Sequence, residues 1–185
     1  MIWNKKKVVG FTGLPGSGKS TIIEAIEDLG KVITMGDVIR NEAKKRKITL
    51  NDENLGKIAK DLREIGGPNI VAEKCVEWIK ALNSNLIFID GLRSMEEVNI
   101  FKKYWKFPVI AIVVDDDLRF KRLTERGRSD DPKDIKQLKE RDNREIGFGL
   151  KEVIANSNYQ FKNDLPVIES KKKARTLILQ IIDDY

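Results

Sequence analysis

The segment Gly13, Leu14, Pro15, Gly16, Ser17, Gly18, Lys19, Ser20 fits the pattern G-x-x-x-x-G-K-[ST]. Glycines in this pattern let backbone N–H groups wrap a triphosphate, and the positive end of the following helix adds to their field. Lys19 can bridge the outer phosphates and Ser20 can offer its hydroxyl to Mg²⁺, with Thr21 extending the cradle. Read blandly, the segment is a glycine-rich turn. The apolar run before it and the helical pattern after it favour nucleotide binding. Asp90 closes the apolar run Leu86, Ile87, Phe88, Ile89, a position from which a carboxylate can orient metal-bound water. Its bland alternative is a turn cap, and its rival for the metal is Asp115.

Arginines supply the remaining candidate chemistry. Gly36, Asp37, Val38, Ile39, Arg40 and Asp90, Gly91, Leu92, Arg93 each put a guanidinium shortly after a strand end, on the side where parallel sheets bind ligands. Two converging guanidinium forks would hold an acceptor phosphate bidentately; either alone is as readily a surface ion pair. Arg119, Arg122 and Arg126 share one helical face, continued by Arg128, with Arg141 and Arg144 on the next helix. Arg126, Arg128, Arg141 and Arg144 are candidate catalytic groups of a positive lid, Arg122 is a nucleotide contact, and Arg119 reads as solvated surface. Histidine is absent, which phosphoryl transfer tolerates because it runs on positioning and electrostatics.

These residues need elements to position them. Residues 7–12 read as a buried strand, 19–29 as an amphipathic helix closed by Gly30, and 32–33 as a short strand. Asp37 is the expected N-cap of a helix to about residue 45. Helices are expected over 52–65 and from Pro68 to about 82, and strands over 86–90 and 109–114. Ser94 and Glu97 form a capping box ahead of a helix ending near Trp105. Further helices are expected over 117–126, 132–146 with Asp131 as cap, 150–156 and 175–182, and a last strand over 159–161. Uniformly apolar strands alternating with helices imply an α/β fold, a parallel sheet covered on both faces. The chain reads as one domain over 1–185, with 37–67 an acceptor-binding insertion and 126–145 a mobile lid.

A single cysteine, Cys75, excludes an intrachain disulfide and a cysteine-based zinc site. No apolar run approaches the ~20 residues of a membrane span, and the first residues lack the pattern of a signal peptide, so a cytoplasmic setting is expected. The net charge of +6 leaves a nucleic-acid partner open without favouring it, because basic residues scatter among acidic ones.

The segments 36–40 and 89–93 resemble the two acceptor-site motifs of the adenylate kinases, and Arg122, Leu123, Thr124, Glu125, Arg126 resembles the arginine pair that opens their lid. A nearer resemblance is to an archaeal family of adenylate-kinase-related proteins, through residues 35–40, 90–94 with Glu97, and 126–131 ahead of Arg141 and Asp142. This resemblance implies a three-layer phosphate-loop NTPase fold with a five-stranded parallel sheet, ATP and Mg²⁺ as cofactors, and an acceptor pocket able to take AMP. Gly36, Asp37, Arg40 and Arg93 are then the acceptor contacts. Met35 and Leu92 depart from the adenylate-kinase pattern, and the long lid is missing. The expected activity is a nucleoside monophosphate kinase. The alternatives are a kinase of another metabolite such as dephospho-coenzyme A, or a nucleotide-dependent switch for protein or RNA.

Overall fold

A computed structural model describes residues 5–126 and 132–185, with only the backbone of Arg126. In chain order the elements are β1 (Lys7–Thr12), α1 (Lys19–Glu24), β2 (Lys31–Thr34), α2 (Met35–Lys45), α3 (Asp52–Gly66), α4 (Ile70–Ala81) and β3 (Leu86–Asp90). Then follow α5 (Met95–Lys102), β4 (Val109–Val113), α6 (Asp116–Arg126), α7 (Ile135–Gly147), α8 (Leu150–Ala155), β5 (Tyr159–Lys162) and α9 (Val167–Asp184). The strands form one parallel sheet in the order β2-β3-β1-β4-β5. β1 lies at its centre, so the loop that leaves it opens over the middle of the carboxyl edge, where ligands of such sheets bind.

Side chains alternate across a strand, and that alternation divides the core. Val8, Ile87 and Ile89 face one side, packed with Val38, Val71, Cys75, Ile79 and Phe101 from α2, α4 and α5. Val9, Phe11, Phe88, Ile110 and Ile112 face the other, packed with Ile22 and Ile26 and with Ala174, Ile178 and Ile181 of α9. This gives the three layers expected from the apolar strands. No described helix is long and apolar enough to cross a membrane.

Several boundaries differ from the sequence expectation. The helix expected over 19–29 stops at Glu24, because residues 25–29 tighten into turns whose amides reach back three residues, as in Ala25 to Ile22 (3.2 Å), Ile26 to Ile23 (3.0 Å) and Leu29 to Ile26 (2.9 Å). Asp37 is not a cap: α2 begins at Met35 with Thr34 ahead of it. The fully buried Met35 pulls the helix start toward the sheet, and Asp37 sits in the first turn, where its charge suits the helix dipole. The expected cap Asp131 lies outside the described residues. α7 starts later, at Ile135, because the Asp134 carboxylate accepts from the Gln137 amide (2.8 Å). The stretch 175–182, expected to belong to a terminal helix, lies inside α9.

Candidate functional site

The loop after β1 is shaped by backbone geometry only glycine adopts without strain. Gly13 has φ 144° and a Cβ there would lie 2.3 Å from the Ile112 carbonyl oxygen; Gly18 has φ 89° and a Cβ would meet the Asn163 amide at 2.1 Å. Lys19 opens α1 and folds back over the loop, donating to the carbonyls of Gly13 (2.6 Å) and Leu14 (3.4 Å). Desolvation lowers the Lys19 pKa to about 8, against the opposing attraction of Asp90.

The loop is braced from behind by residues distant in sequence. Asn163, at the end of β5 and buried, donates from its side-chain amide to the Ser17 carbonyl (2.8 Å). Arg122 donates to the Asn163 carbonyl (2.9 Å) and Ser17 carbonyl (3.4 Å). Burial lowers the Arg122 pKa, with Asp164 opposing. Arg119 corrects the sequence reading: it is 1% exposed rather than solvated. Its guanidinium donates to the Pro15 carbonyl (2.9 Å), to both carboxylate oxygens of Asp142 (2.6 and 2.7 Å) and to Asp116 (2.8 Å). Burial makes the bonds to Asp142 and Pro15 matter, because an unpaired guanidinium could not remain there.

A cavity of about 540 Å³ runs from the loop to the β2 and β3 ends. Gly13, Pro15, Gly16, Gly18, Lys19, Ser20 and Thr21 form one end, and Arg122 and Asn163 flank it. Gly36, Arg40, Asp90 and Arg93 form the other, joined by Arg141 and Glu145 from α7. The structure thus brings Lys19, Ser20, Asp90, Arg40, Arg93 and Arg141 onto one cavity. Leu14 and Ser17 belong to the loop but not to the cavity wall. Asp37 turns to solvent and accepts from Arg40 (2.9 Å). Arg144 points away, donating to Asp52 at the start of α3 (2.9 and 2.8 Å), and Arg141 lies 3.5 Å from the same carboxylate. The side chain of Arg126 and the whole of Arg128 lie outside the described residues.

Two carboxylates complete the acceptor end: Glu145, which carried no sequence signal, and Glu97, which the sequence marked only as half of a capping box and within the family resemblance. Glu145 bonds the Arg93 Nε through a short contact. Burial would raise its carboxyl pKa, but the charge and hydrogen bond of Arg93, with Arg141 and Arg144, outweigh that and lower it. Arg93 is in turn raised, chiefly by the Glu145 charge. Glu97, fully buried, accepts from the Arg93 amide (2.8 Å) and from Arg63 of α3 (2.6 Å). Its carboxylate therefore does not close the expected capping box, although Ser94 does cap α5 by accepting from the Glu97 amide (3.2 Å). Cys75 is buried, and desolvation pushes its thiol up to about 12, which leaves it inert.

A magnesium ion takes oxygen ligands and is held in nucleotide sites by one or two protein oxygens plus phosphates. Ser20 and Asp90 fit that requirement on the same cavity, and Asp90 Oδ1 is buried with no hydrogen-bond partner among the described residues.

This sheet order, loop and cavity define a phosphate-loop protein of the kinase-like class. A family model described as AAA domain matches residues 12–139. A UPF0200 protein of Methanothermobacter thermautotrophicus is 43% identical over 178 residues, covering 95% of this chain and 91% of that protein. A UPF0200 protein of Methanosarcina mazei is 38% identical over 180 residues, covering 96% of each. Among solved structures, shikimate kinase from Acinetobacter baumannii in complex with shikimate superposes with a TM-score of 0.59 at 12% identity, covering 99% of this chain and 97% of that one. The chain belongs to the AAA-domain family and to the archaeal UPF0200 proteins.

Proposed function

We propose that this protein transfers the γ-phosphoryl group of ATP to a nucleoside monophosphate, with AMP as acceptor. The carrying observation is the continuity of one cavity from Lys19 and Ser20 to Arg40 and Arg93, which lets donor and acceptor phosphates meet without crossing protein. The resemblance of residues 36–40 and 89–93 to adenylate-kinase motifs supports the acceptor assignment.

On this reading the triphosphate lies along residues 13–21 beside Arg122, and Ser20 and Asp90 hold Mg²⁺. When bound, the metal neutralises charge between the reacting phosphates. Lys19 leaves the loop carbonyls for the outer phosphates. Arg40 and Arg93 clamp the acceptor phosphate, and Arg141 adds charge at the point of transfer. The insertion 37–67 carries the acceptor and the segment 126–145 is the lid, with Arg126 and Arg128 as its closing cations. Arg144 then ties lid to insertion through Asp52 rather than touching phosphate. The setting is cytoplasmic.

Purified protein with ATP, Mg²⁺ and a panel of monophosphates is expected to yield ADP from AMP, followed by chromatography. The paired change Arg93→Ala with Glu145→Gln, which leaves no orphan carboxylate, is expected to raise the KM for AMP about 30-fold while ATP affinity holds, since charge-assisted bonds contribute about 1.5–3 kcal/mol. Absence of diphosphate product with every monophosphate would reject the assignment. A second reading rests on the Glu145–Arg93 contact, which offsets the charge a phosphate would seek: the acceptor is then a larger or hydroxyl-bearing metabolite such as dephospho-coenzyme A, and phosphorylation of that compound with AMP untouched would select it.

The lowered Lys19 pKa sets a pH dependence. Above about 8 the free side chain loses its proton, and binding a polyphosphate must recapture it. ATP affinity is therefore expected to hold up to about pH 8 and then fall, approaching tenfold per pH unit. Calorimetry from pH 7 to 9.5, in buffers of different ionisation heat, should show proton uptake; affinity level across that range would contradict it. For folding the sign is opposite. The unfolded chain binds the extra proton between about 8 and the ordinary 10.5, so the Lys19 contribution to stability rises with pH through that window.

A further inference from the structure

At the rim of the sheet opposite the phosphate loop, an open cleft of about 1130 Å³ lies between the start of β1, the end of α5 and the end of α9. Lys5, Lys6, Lys7, Lys102, Lys103 and Lys106 line it, with Asp184 as its acidic side chain. Elsewhere on the surface lysines sit beside carboxylates, as in Lys57 with Glu53 (2.6 Å), Lys162 with Asp164 (2.9 Å) and Lys171 with Glu24 (3.0 Å). Among the described residues none of the six cleft lysines makes such a pair. Lys6 and Lys7 are anchored on backbone carbonyls instead, Lys6 at Leu82 and Ser84 and Lys7 at Ile182 (2.6 Å). Lys5, Lys102, Lys103 and Lys106 are exposed to solvent.

Helix-dipole complementarity accounts for cations at the C-terminus of α5, hence for Lys102 and Lys103, but not for Lys5 or Lys106. Six lysines against the single acidic side chain that lines the cleft leave an excess of positive charge that repels itself in the folded chain, and a polyanion relieves that repulsion. Concavity favours a strand over a flat lipid surface. The 39% exposed Tyr185 stands on the same cleft, giving a ring of the kind on which unpaired bases stack, and Tyr104, which also lines it, already carries the Lys80 ammonium 4.2 Å from its ring centroid. We propose that this cleft binds single-stranded nucleic acid. Charge that looks scattered along the sequence is gathered here by the fold. The cleft and the nucleotide loop lie at opposite ends of β1, six residues or roughly 20 Å apart, so occupancy here does not require the phosphate loop.

The test is fluorescence anisotropy with labelled fifteen-nucleotide oligouridylate and oligothymidylate. Binding is expected at 50 mM salt, with a logarithmic salt slope of about −3 from roughly four phosphate contacts. The triple change Lys102→Glu, Lys103→Glu, Lys106→Glu is expected to weaken it at least tenfold, and the milder Lys→Gln triple to flatten the slope, while both keep the parent's thermal unfolding and ATP binding. Lys19→Ala should leave oligonucleotide binding unchanged. Preference between the two probes reports whether the sugar is read. No anisotropy change at 50 mM salt would overturn the proposal, as would full affinity in both triple variants, or tighter capture by phosphatidylserine vesicles or polyglutamate than by either oligonucleotide.

Discussion

Lys19→Ala is expected to lower phosphoryl transfer by about 10²–10³-fold or more, the range seen when a preorganised transition-state donor is removed. Lys19 is the cation that opens α1 directly after the glycine-shaped turn, so no neighbour can swing into its place without rebuilding the loop. Its ammonium already lies 2.6 Å from the Gly13 carbonyl, and a nucleotide need only offer a stronger acceptor to draw it onto the outer phosphates. The fold should tolerate the loss. Only loop carbonyls are left without this donor, and at a cavity wall they can turn to water. Thermal unfolding of the variant is therefore expected to stay close to the parent, with nucleotide binding and turnover collapsing together. If turnover survived in a folded Lys19→Ala protein, the loop would not be the site of chemistry.

The part of the molecule that holds this lysine was legible in sequence because it is local. One apolar strand, one glycine-rich turn and one helix start lie within some fifteen residues, and each obeys short-range rules of backbone geometry. The parallel sheet was legible for a similar reason, since strands buried on both faces cannot hide their composition. Arg119 was not. Its helical face looks polar on a wheel, and its burial depends on Asp142, 23 residues on, and on the Pro15 carbonyl, 104 residues back. Glu145 and Asn163 were invisible as site residues for the same reason: each acts on a backbone or guanidinium that only the tertiary fold brings close. Glu97 was marked by the family resemblance, but its hold on the Arg93 amide and Arg63 was not. Asp142 stood next to Arg141 in a segment already singled out, so its charge could have prompted a search for a buried partner. Asp37 shows the converse. The resemblance of residues 36–40 to an acceptor motif counts it among the acceptor contacts, and in the structure its carboxylate accepts from Arg40 within one helical turn, at 2.9 Å and exposed to solvent, a geometry that contributes little to stability.

Arg119→Ala is expected to cost about 3–5 kcal/mol of unfolding free energy, the range for removing one partner of a buried ion pair. The side chain links three pieces of structure: the outer wall of the phosphate loop through Pro15, its own helix α6 through Asp116, and α7 through Asp142. The exposed Asp116 contact contributes little, and the two bonds to Asp142, only 17% exposed, contribute most. Truncation strands that carboxylate in a poorly solvated place and frees α7 from α6. It also releases the Pro15 carbonyl, so ATP affinity should fall although Arg119 does not line the cavity. Chemical denaturation of Arg119→Ala, Asp142→Ala and the double variant tests this directly. The double variant is expected to be little worse than Arg119→Ala alone, since removing Asp142 removes the stranded charge. Additive losses would show that the two side chains act independently, and that α7 is held against the loop by something other than this pair.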